Sequence, residues 1–360
     1  MKYTLYSFRF ILIKISLCVL SLYCVTNSLW AGETDSLFKS DQIINMELRA
    51  DFSTIQAERT GKAEYHNGEL IYYTPGGETV KLSVKLIVRG HFRRDTANCN
   101  FPPLYVNFKK GEVNNTIFSN QNELKLVTPC VYEKDVVDEY LIYKMYNKVT
   151  DLSMKVRLVK ILYFDTRTGR KLFEKYSFFI EKKEYVAKRN NLVVRDTMIS
   201  PKDLDRENFK KMSIFQYMIG NGDWYFRLKI GNGEQYLRLN RNFVVMQPKD
   251  STLAPYAIPY DFDLSSFVNA DYADSQTGRR TYKGLCYTAS EFEEVFKFYQ
   301  DLRPEFESII NNTELITKSS KKQMVKYIED FYTVIESSNL IKQELLDVCG
   351  TSLDLTLITE

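Results

Sequence analysis

The period of the apolar residues changes near residue 182, and this change limits the fold more than any other feature of the sequence. Before that point, short stretches with alternating apolar residues predict β-strands, whereas afterwards apolar residues recur three and four positions apart, as on helices. One helix, predicted over 133–148, interrupts the strands. Because strands and helices are segregated along the chain, the sequence predicts an α+β class with a β-rich first half and a mainly helical second half.

Turn residues delimit the predicted elements. Pro75-Gly76-Gly77 and Thr166-Arg167-Thr168-Gly169 mark turns between strands, and Gly220 ends a predicted helix. The predicted strands are 43–55, 69–73, 80–88, 104–108, 123–127, 154–165 and 173–181, and the later predicted helices are 204–219, 290–310 and 321–336. We therefore expect two lobes, residues 32–185 and 186–360, that share a cleft.

The first 31 residues have the pattern of an export signal. Lys2, Arg9 and Lys14 precede an apolar run over 15–25, and no acidic residue occurs before Glu33. Because a bilayer-spanning helix needs roughly 20 apolar residues, this run predicts a cleaved signal peptide, with an uncleaved anchor as the alternative. We expect an exported protein, periplasmic or at the cell surface or secreted, with no stable membrane span after the signal is removed.

The charge balance and the histidine count exclude several classes of function. Removing residues 1–31 takes away three of the 49 basic residues and none of the 46 acidic ones, so the remaining chain is neutral and predicts no nucleic-acid partner. Only His66 and His91 occur, so a multi-histidine metal site cannot form. Any metal site must use carboxylate and amide oxygens, which suit hard cations such as magnesium or manganese.

Four cysteines remain after the signal: Cys99, Cys130, Cys286 and Cys349. An even number in an exported chain permits two disulfides in any of three pairings. Pairing of neighbours along the chain, Cys99 with Cys130 and Cys286 with Cys349, is our prediction, and buried free thiols are the alternative.

Three polar clusters in apolar surroundings are candidates for a functional site. Asp261 and Asp263 flank Phe262 after an apolar stretch, and a buried carboxylate is costly unless it is paired or binds a metal. Asp223 follows Gly222 just after a predicted helix, and two amides, Asn240 and Asn242, come next. Each cluster alone is also compatible with a turn or a helix cap.

The order of these clusters is what phosphoryl transfer requires. One acid orients or deprotonates the nucleophile, while an amide and a second acid hold the divalent cation against the phosphates. An Asp loop, an Asn and an Asp-Phe-Asp motif follow one another here in that order. The series is therefore similar to a kinase catalytic loop followed by a DFG-type motif.

Together with other segments, this series resembles the spore-coat kinase-like (CotH-type) family, including its uncharacterised exported bacterial relatives. The resemblance covers residues 80 to 335 approximately and implies a two-lobed, atypical protein-kinase-like fold. The segments that carry it are VKLIVRG at 84–90, FSNQNELKLVTP at 118–129, FFIE at 178–181, GDW at 222–224, Asn242, PYDFD at 259–263 and YKGLC at 282–286.

The resemblance also implies roles for single residues in the second half. Asp223 would be the catalytic acid near the nucleophile. Asn242 and Asp261 would hold the metal, with Asp263 assisting, and Asn240 competes with Asn242 for the amide role.

In the first half, the resemblance implies the residues that bind ATP. Glu181 would line the side of the cleft that holds the nucleotide base. Lys125 is the candidate for a phosphate-contacting lysine, with Arg89 as its rival. No G-x-G-x-x-G precedes Lys125 and neither histidine closely precedes Asp223, so two of the usual kinase motifs are missing. The interval of 38 residues between Asp223 and Asp261 is long, which predicts an inserted hairpin over 229–235.

Three functions remain open from the sequence. The first is an exported atypical kinase that transfers phosphoryl from ATP, with magnesium or manganese, to a protein or small-molecule acceptor. The second is a catalytically inactive binding or surface-assembly protein on the same fold, because the 23 Phe and 25 Tyr suit protein or sugar contact as well as core packing. The third is a glycosidase with Asp223 and Asp261 as its two carboxyl groups, which the order of the motifs disfavours.

Overall fold

The computed structural model describes residues 36–195, 199–230, 236–270 and 280–349, with the backbone alone over 225–230 and 236–240. The predicted signal peptide, residues 1–31, lies outside the described residues. None of the described helices is long and apolar enough to cross a membrane. The predicted α+β class is confirmed, because strands dominate up to residue 180 and helices dominate afterwards.

Seven strands of the first half close into a barrel. They are β1 Ile44–Ala50, β2 His66–Tyr73, β3 Thr79–Val88, β4 Leu104–Phe108, β5 Glu123–Val127, β6 Val156–Asp165 and β7 Arg170–Ile180. The strand order is β1-β2-β3-β4-β5-β7-β6, and β1 closes the barrel by parallel pairing with β6, whereas the other pairs are antiparallel. Alternate residues of each strand, such as Leu124 and Leu126 of β5, fill the interior.

One long helix, α2 at Glu133–Val149, lies between β5 and β6 in the sequence, after the short α1 at Phe52–Ala57. Twelve residues of α2 are buried, on almost all of its sides. Its apolar side chains belong to the same hydrophobic cluster as the helices of the second half, not to the barrel interior. The helix therefore joins the two halves of the molecule.

The second half consists of helices around a small sheet. The helices are α3 Lys183–Arg189, α4 Arg206–Met218, α5 Ala289–Asn311, α6 Lys318–Ile335 and α7 Ser338–Ile341. The strand β8 Leu192–Arg195 pairs with β11 Phe243–Pro248, which pairs in turn with β12 Tyr256–Pro259. Strands β9 Tyr225–Ile230 and β10 Tyr236–Arg241 form a separate antiparallel pair. The pair lies on either side of 231–235, so most of the hairpin predicted over 229–235 lies outside the described residues.

The predicted strand 43–55 is wrong in its second part. The strand ends at Ala50, and α1 begins at Phe52, because the Asp51 side chain caps the helix by accepting hydrogen bonds from the backbone N–H and the hydroxyl of Thr54. The strand β8 was not predicted from the sequence, and it lies in the half where we expected mainly helices. Both errors concern short elements whose conformation depends on caps or on strands far along the chain.

Both predicted disulfides are present. Cys99 pairs with Cys130, and Cys286 pairs with Cys349. The first joins the segment after β3 to the segment that enters α2, and the second fastens the residues after α7 to the loop before α5.

Removal of the Cys286–Cys349 bridge should destabilise the protein. The bridge spans 63 residues, and a cross-link of this kind typically contributes about 2–4 kcal/mol, mainly by limiting the unfolded chain. We expect the double variant Cys286→Ala/Cys349→Ala to lose that much free energy of unfolding in urea. Equal unfolding curves for the wild-type protein and the variant would contradict the pairing.

Candidate active-site cleft

A cavity of about 470 Å³ lies between the barrel and the small sheet of the second half. Lys125 of β5 and Glu181, just after β7, line it from the barrel side, and β11 and Tyr260 line it from the other side. A neighbouring cavity of about 260 Å³ is lined by Arg89, Asp223, Asn242, Asp261 and Asp263, among others. A small cavity between them is lined by Arg89, Lys125, Tyr260 and Asp261. The seven residues predicted from the sequence therefore line one cleft.

The loop that follows α4 places Asp223 at this cleft. Gly220 adopts a positive φ of 63°, which ends the helix. The side-chain oxygen of Asn221 accepts a hydrogen bond from the backbone N–H of Asp223 at 3.0 Å, and Trp224 is fully buried next to it. The carboxylate is thus held by a turn on one side and an anchored aromatic side chain on the other.

Two side chains bind the carboxylate of Asp223. Arg241 donates from Nε to Oδ1 at 3.0 Å and from Nη2 to Oδ2 at 3.0 Å. The amide nitrogen of Asn242 donates to Oδ2 at 2.9 Å and to the backbone carbonyl of Asp223 at 2.6 Å. Asn242 has a φ of 60°, a left-handed conformation that Asn tolerates better than most residues. The side chain of the competing amide, Asn240 in β10, lies outside the described part of the structure.

The Asp-Phe-Asp motif is fixed to α2. Asp261 has a φ of 64°, and its backbone N–H donates to the hydroxyl of Tyr143 at 2.9 Å. The ring of Phe262 packs edge-on against that of Tyr143, with 4.8 Å between centroids, and also contacts Phe215 of α4. The strained backbone at Asp261 is therefore over-determined by its surroundings, as is usual at functional sites.

The two acids of this motif differ in their surroundings. Asp263 is buried, and one carboxylate oxygen lies 3.9 Å from Nη1 of Arg93. Within the part of the chain that the structure describes, the carboxylate of Asp261 makes no hydrogen bond or ion pair. Its nearest charged neighbours include Lys125, whose pKa it raises. Asp261 is therefore the acid of the cleft that is best placed to receive a ligand.

The cleft suits a metal ion that also binds a phosphate ligand. No group of three or more His, Cys, Asp or Glu residues among the described residues is arranged to hold a metal by itself. Magnesium is typically held by one or two carboxylates and completes its shell with water and substrate phosphates. Asp261, Asp263 and the amide oxygen of Asn242 fit that donor set.

Strand alternation turns Lys125 toward the cleft. Its neighbours in β5, Leu124 and Leu126, face the barrel interior, so Lys125 lies on the opposite face. The ammonium lies 4.8 Å from the centre of the Tyr260 ring. Burial and the nearby cation of Arg89 lower the pKa of Lys125 to about 8, although Asp261 opposes them.

Arg89 directly follows β3. It lines both the cavity of about 260 Å³ and the small cavity beside Lys125. Its backbone N–H donates to Pro103, and Gly90 after it turns the chain with a positive φ. Its Nε is buried and has no hydrogen-bond acceptor among the described residues. Such an orphaned charged donor is costly in a static structure, so Arg89 is available for an anionic ligand.

Glu181 lines the large cavity, but its carboxylate is already bound. Arg189 donates to both of its oxygens, at 3.0 and 3.1 Å, and the backbone N–H of Lys155 donates to it at 3.0 Å. The carboxylate thus fastens the chain segment after β7 to α3. Glu181 can form the wall of the cavity, but its side chain is committed to this structural contact.

Sequence reasoning missed Glu139, in the middle of α2. Glu139 is 2% exposed, and burial raises the pKa of its carboxyl well above the ordinary value, with further contributions from Asp263 and Asp261 that Arg93 and Arg89 oppose. Val136, Ile142 and Tyr143, on the same helix face, are all buried. An acid with apolar or aromatic residues three positions before it and three and four positions after it in a predicted helix was the signal for it.

Two cations that support Asp223 were also missed. Arg241 lies between the two candidate amides, Asn240 and Asn242, and Lys283 lies in the YKGLC segment. The ammonium of Lys283 donates to the backbone carbonyls of Gly222 and Trp224, on either side of Asp223. Neither contact could be read from the sequence, because each joins residues 18 or more positions apart.

No protein-family model and no curated protein matches this chain. The chain is similar to the Helicobacter pylori proinflammatory kinase CtkA, known from a crystal structure, with 12% identity and a TM-score of 0.37 over 70% of this chain and 94% of that one. A likeness of this strength identifies neither a family nor an activity. The chemistry of the cleft therefore has to be argued from its own residues.

The pKa of Lys125 provides a direct test of the cleft's electrostatics. In a titration of ¹³C-dimethylated lysines by NMR, without metal or nucleotide, we expect one resonance with a pKa of about 8. Arg89→Gln should raise that pKa because it removes a neighbouring cation, and Asp261→Asn should lower it because it removes an anion. Absence of any lysine that titrates below about 9 would contradict the described burial.

Glu139 should make the protein less stable as the pH rises. Between the ordinary pKa of 4.5 and the raised value in the folded protein, the folded state keeps a proton that the unfolded state has released, so the free energy of unfolding falls. Glu139→Gln should therefore increase the free energy of unfolding at pH 7.5 and flatten its pH dependence.

The matched control for this experiment is Glu305→Gln, whose side chain is 49% exposed and pairs with Lys148 at the surface. It should change the free energy of unfolding by less than about 0.5 kcal/mol at either pH. A destabilised Glu139→Gln variant at pH 7.5 would mean that the carboxylate is ionised and paired in the folded protein.

Proposed function

We propose that this chain is an exported, atypical kinase of the CotH-like type, with a two-lobed kinase-like fold. It transfers the γ-phosphoryl group of ATP, with magnesium or manganese, to a hydroxyl of a protein or small-molecule acceptor. The observation that carries the proposal is the arrangement across one cleft. Lys125 and Arg89 stand on the barrel side, facing Asp261, while Asp223 is held by Asn242 beside them.

The nucleotide base and ribose occupy the large cavity. Its volume of about 470 Å³ lies within the range of ordinary small-ligand sites. Tyr105, Met154, Ile180, Val244 and Tyr260 provide apolar and aromatic walls. The opening toward Lys125 and Arg89 leads the phosphates toward the acidic part of the cleft.

Lys125 and Arg89 bind the phosphates in place of a Gly-rich loop. Both side chains line the small cavity beside Asp261. The guanidinium of Arg89 offers a planar fork of donors, and the ammonium of Lys125 offers a compact charge. Because the two cations are close enough for Arg89 to lower the pKa of Lys125, an anion between them relieves their mutual repulsion.

Asp223 orients the acceptor hydroxyl. As the hydroxyl oxygen forms its bond to the γ-phosphorus, the bond from that phosphorus to the bridging oxygen breaks and ADP leaves with the electron pair. Asp223 accepts the hydroxyl proton. Arg241, Asn242 and Lys283 keep the carboxylate and its loop in place during this step.

The divalent cation would be held by Asp261, Asp263 and Asn242. When bound, it neutralises charge on the phosphate oxygens. The packing of Phe262 between α2 and α4 fixes the backbone on which both acids stand. The contribution of the protein is therefore positioning, which is the main requirement of phosphoryl transfer.

A second candidate is a catalytically inactive binding or surface-assembly protein. The observation that favours it is the close pairing of Asp223 with Arg241, which occupies both carboxylate oxygens. Lys125 and Arg89 beside Asp261 disfavour it, because binding to a protein or a sugar does not require two cations that face a carboxylate. Nucleotide binding separates the two candidates.

ATP together with manganese should stabilise the protein against heat. A ligand that binds only the folded state adds about 2.7 kcal/mol at a hundredfold excess over its dissociation constant. We expect an increase in melting temperature that requires both metal and nucleotide and is lost in Asp261→Asn. The control variant Asp301→Asn, exposed on α5, should keep the increase.

No change in melting temperature at millimolar ATP, with either metal, would overturn the kinase proposal. An increase that survives in Asp261→Asn would mean that the nucleotide binds without the acid to which the proposal assigns the metal.

A further inference from the structure

The cavity of about 260 Å³ has the charged side chain of Arg241 at its exposed edge and the carboxylates of Asp223, Asp261 and Asp263 deeper inside. Its lining residues that are exposed to solvent are Gly90, His91, Phe92 and Arg241, whereas Asp223, Asp261 and Asp263 are half-buried or buried. The side chain of Arg241 is 46% exposed, compared with 21% for its partner Asp223. An acceptor that approaches Asp223 therefore meets the guanidinium before it meets any carboxylate.

We propose that the acceptor is a polypeptide hydroxyl with an acidic side chain close by, and that Arg241 binds this acidic side chain. The inference rests on the phosphoryl-transfer function proposed above and names the acceptor class for the same site.

The geometry of Arg241 suits this second role. A guanidinium carries five N–H donors in a planar fork, so one Arg can contact two carboxylates at once. Its pair with Asp223 is partly exposed, where solvent screening keeps the strength of an ion pair low. An incoming carboxylate can therefore share Arg241 with Asp223 and leave Asp223 to receive the hydroxyl.

The positions of Arg241 and Phe92 in the fold favour a polypeptide over a small acid. Arg241 ends β10 in the second half, whereas Phe92 follows β3 of the barrel, so the two come from opposite sides of the cleft. Phe92 is 47% exposed. A ligand that contacts both must cross the mouth of the cavity, which an extended segment does while Phe92 provides an apolar surface for it.

The test is direct binding of two labelled peptides to the full chain, measured by fluorescence anisotropy at low salt without nucleotide. The peptides share one central serine and differ only in flanking Glu or Lys residues. We expect the wild-type protein to bind the Glu peptide at least 10-fold more tightly. Arg241→Gln should bring the ratio close to one, and Arg241→Lys, which keeps the charge but loses the fork, should give an intermediate ratio.

The matched control is Arg170→Gln, an exposed arginine at the start of β7, which should keep the wild-type ratio. Equal affinities of the wild-type protein for the two peptides, or a ratio unchanged in Arg241→Gln, would overturn the inference. If Arg241 only orients Asp223, its substitution leaves the charge preference intact. Free glutamate that competes as well as the Glu peptide would also overturn it, in favour of a small acidic acceptor.

The outcome is separable from that of the kinase proposal. Nucleotide-dependent stabilisation without a peptide preference removes the acceptor inference alone. A peptide preference that depends on Arg241, without any effect of nucleotide, removes the kinase proposal and leaves an acidic-peptide binding site. The melting temperature of each variant shows whether it is folded, so a loss of binding through unfolding is recognised.

Discussion

The contact between Tyr143 and Phe262 is the interaction on which the cleft depends. Tyr143 lies on the helix inserted between the barrel strands, and Phe262 lies in the acidic motif of the second half. The hydroxyl of the same tyrosine accepts a hydrogen bond from the backbone N–H of Asp261. Because α2 shares its hydrophobic cluster with the later helices, the position of Asp261 relative to Lys125 is set by the core and not by a surface loop. A rigid base of this kind is what a site needs to hold charged groups a few ångströms apart.

Much of the architecture could be predicted from the sequence because it follows local rules. The strands at 104–108 and 123–127 agree with the structure residue for residue, since alternating apolar residues report the face that fills the barrel. The hairpin turn at 166–169 was also predicted correctly from the sequence. The predicted site residues also line one cleft. They were identified because acids and amides in apolar surroundings are costly unless they are paired, hydrogen-bonded or bound to a ligand.

The remaining features depend on contacts between distant parts of the chain. The barrel closes through parallel pairing of β1 with β6, more than a hundred residues apart, and no local pattern signals such a pair. In the sequence Arg241 is an ordinary strand residue, and only the fold shows its contact with Asp223. Lys283 is likewise an ordinary loop lysine in the sequence, and only the fold shows its hydrogen bond to the carbonyl of Trp224. For Glu181 the position at the cavity was predicted, whereas the contact of its carboxylate with Arg189, eight residues later, was not.

The contrast between Glu181 and its neighbours in the cleft separates structural from functional charges. Glu181 is buried, yet Arg189 and a backbone N–H satisfy its oxygens, so its burial costs little. In the same region Glu139 is buried and Lys125 and Arg89 are half-buried, and the charges of all three are poorly compensated. The pKa of Lys125 is lowered, that of Glu139 is raised, and Nε of Arg89 has no acceptor among the described residues. Because the carboxylate of Glu181 is fully compensated in the same fold, packing alone does not explain why the other three groups lack such partners. Perturbed groups that converge on one cleft are the usual mark of a ligand site, and two cations that face the carboxylate of Asp261 are consistent with the phosphate ligand that we propose.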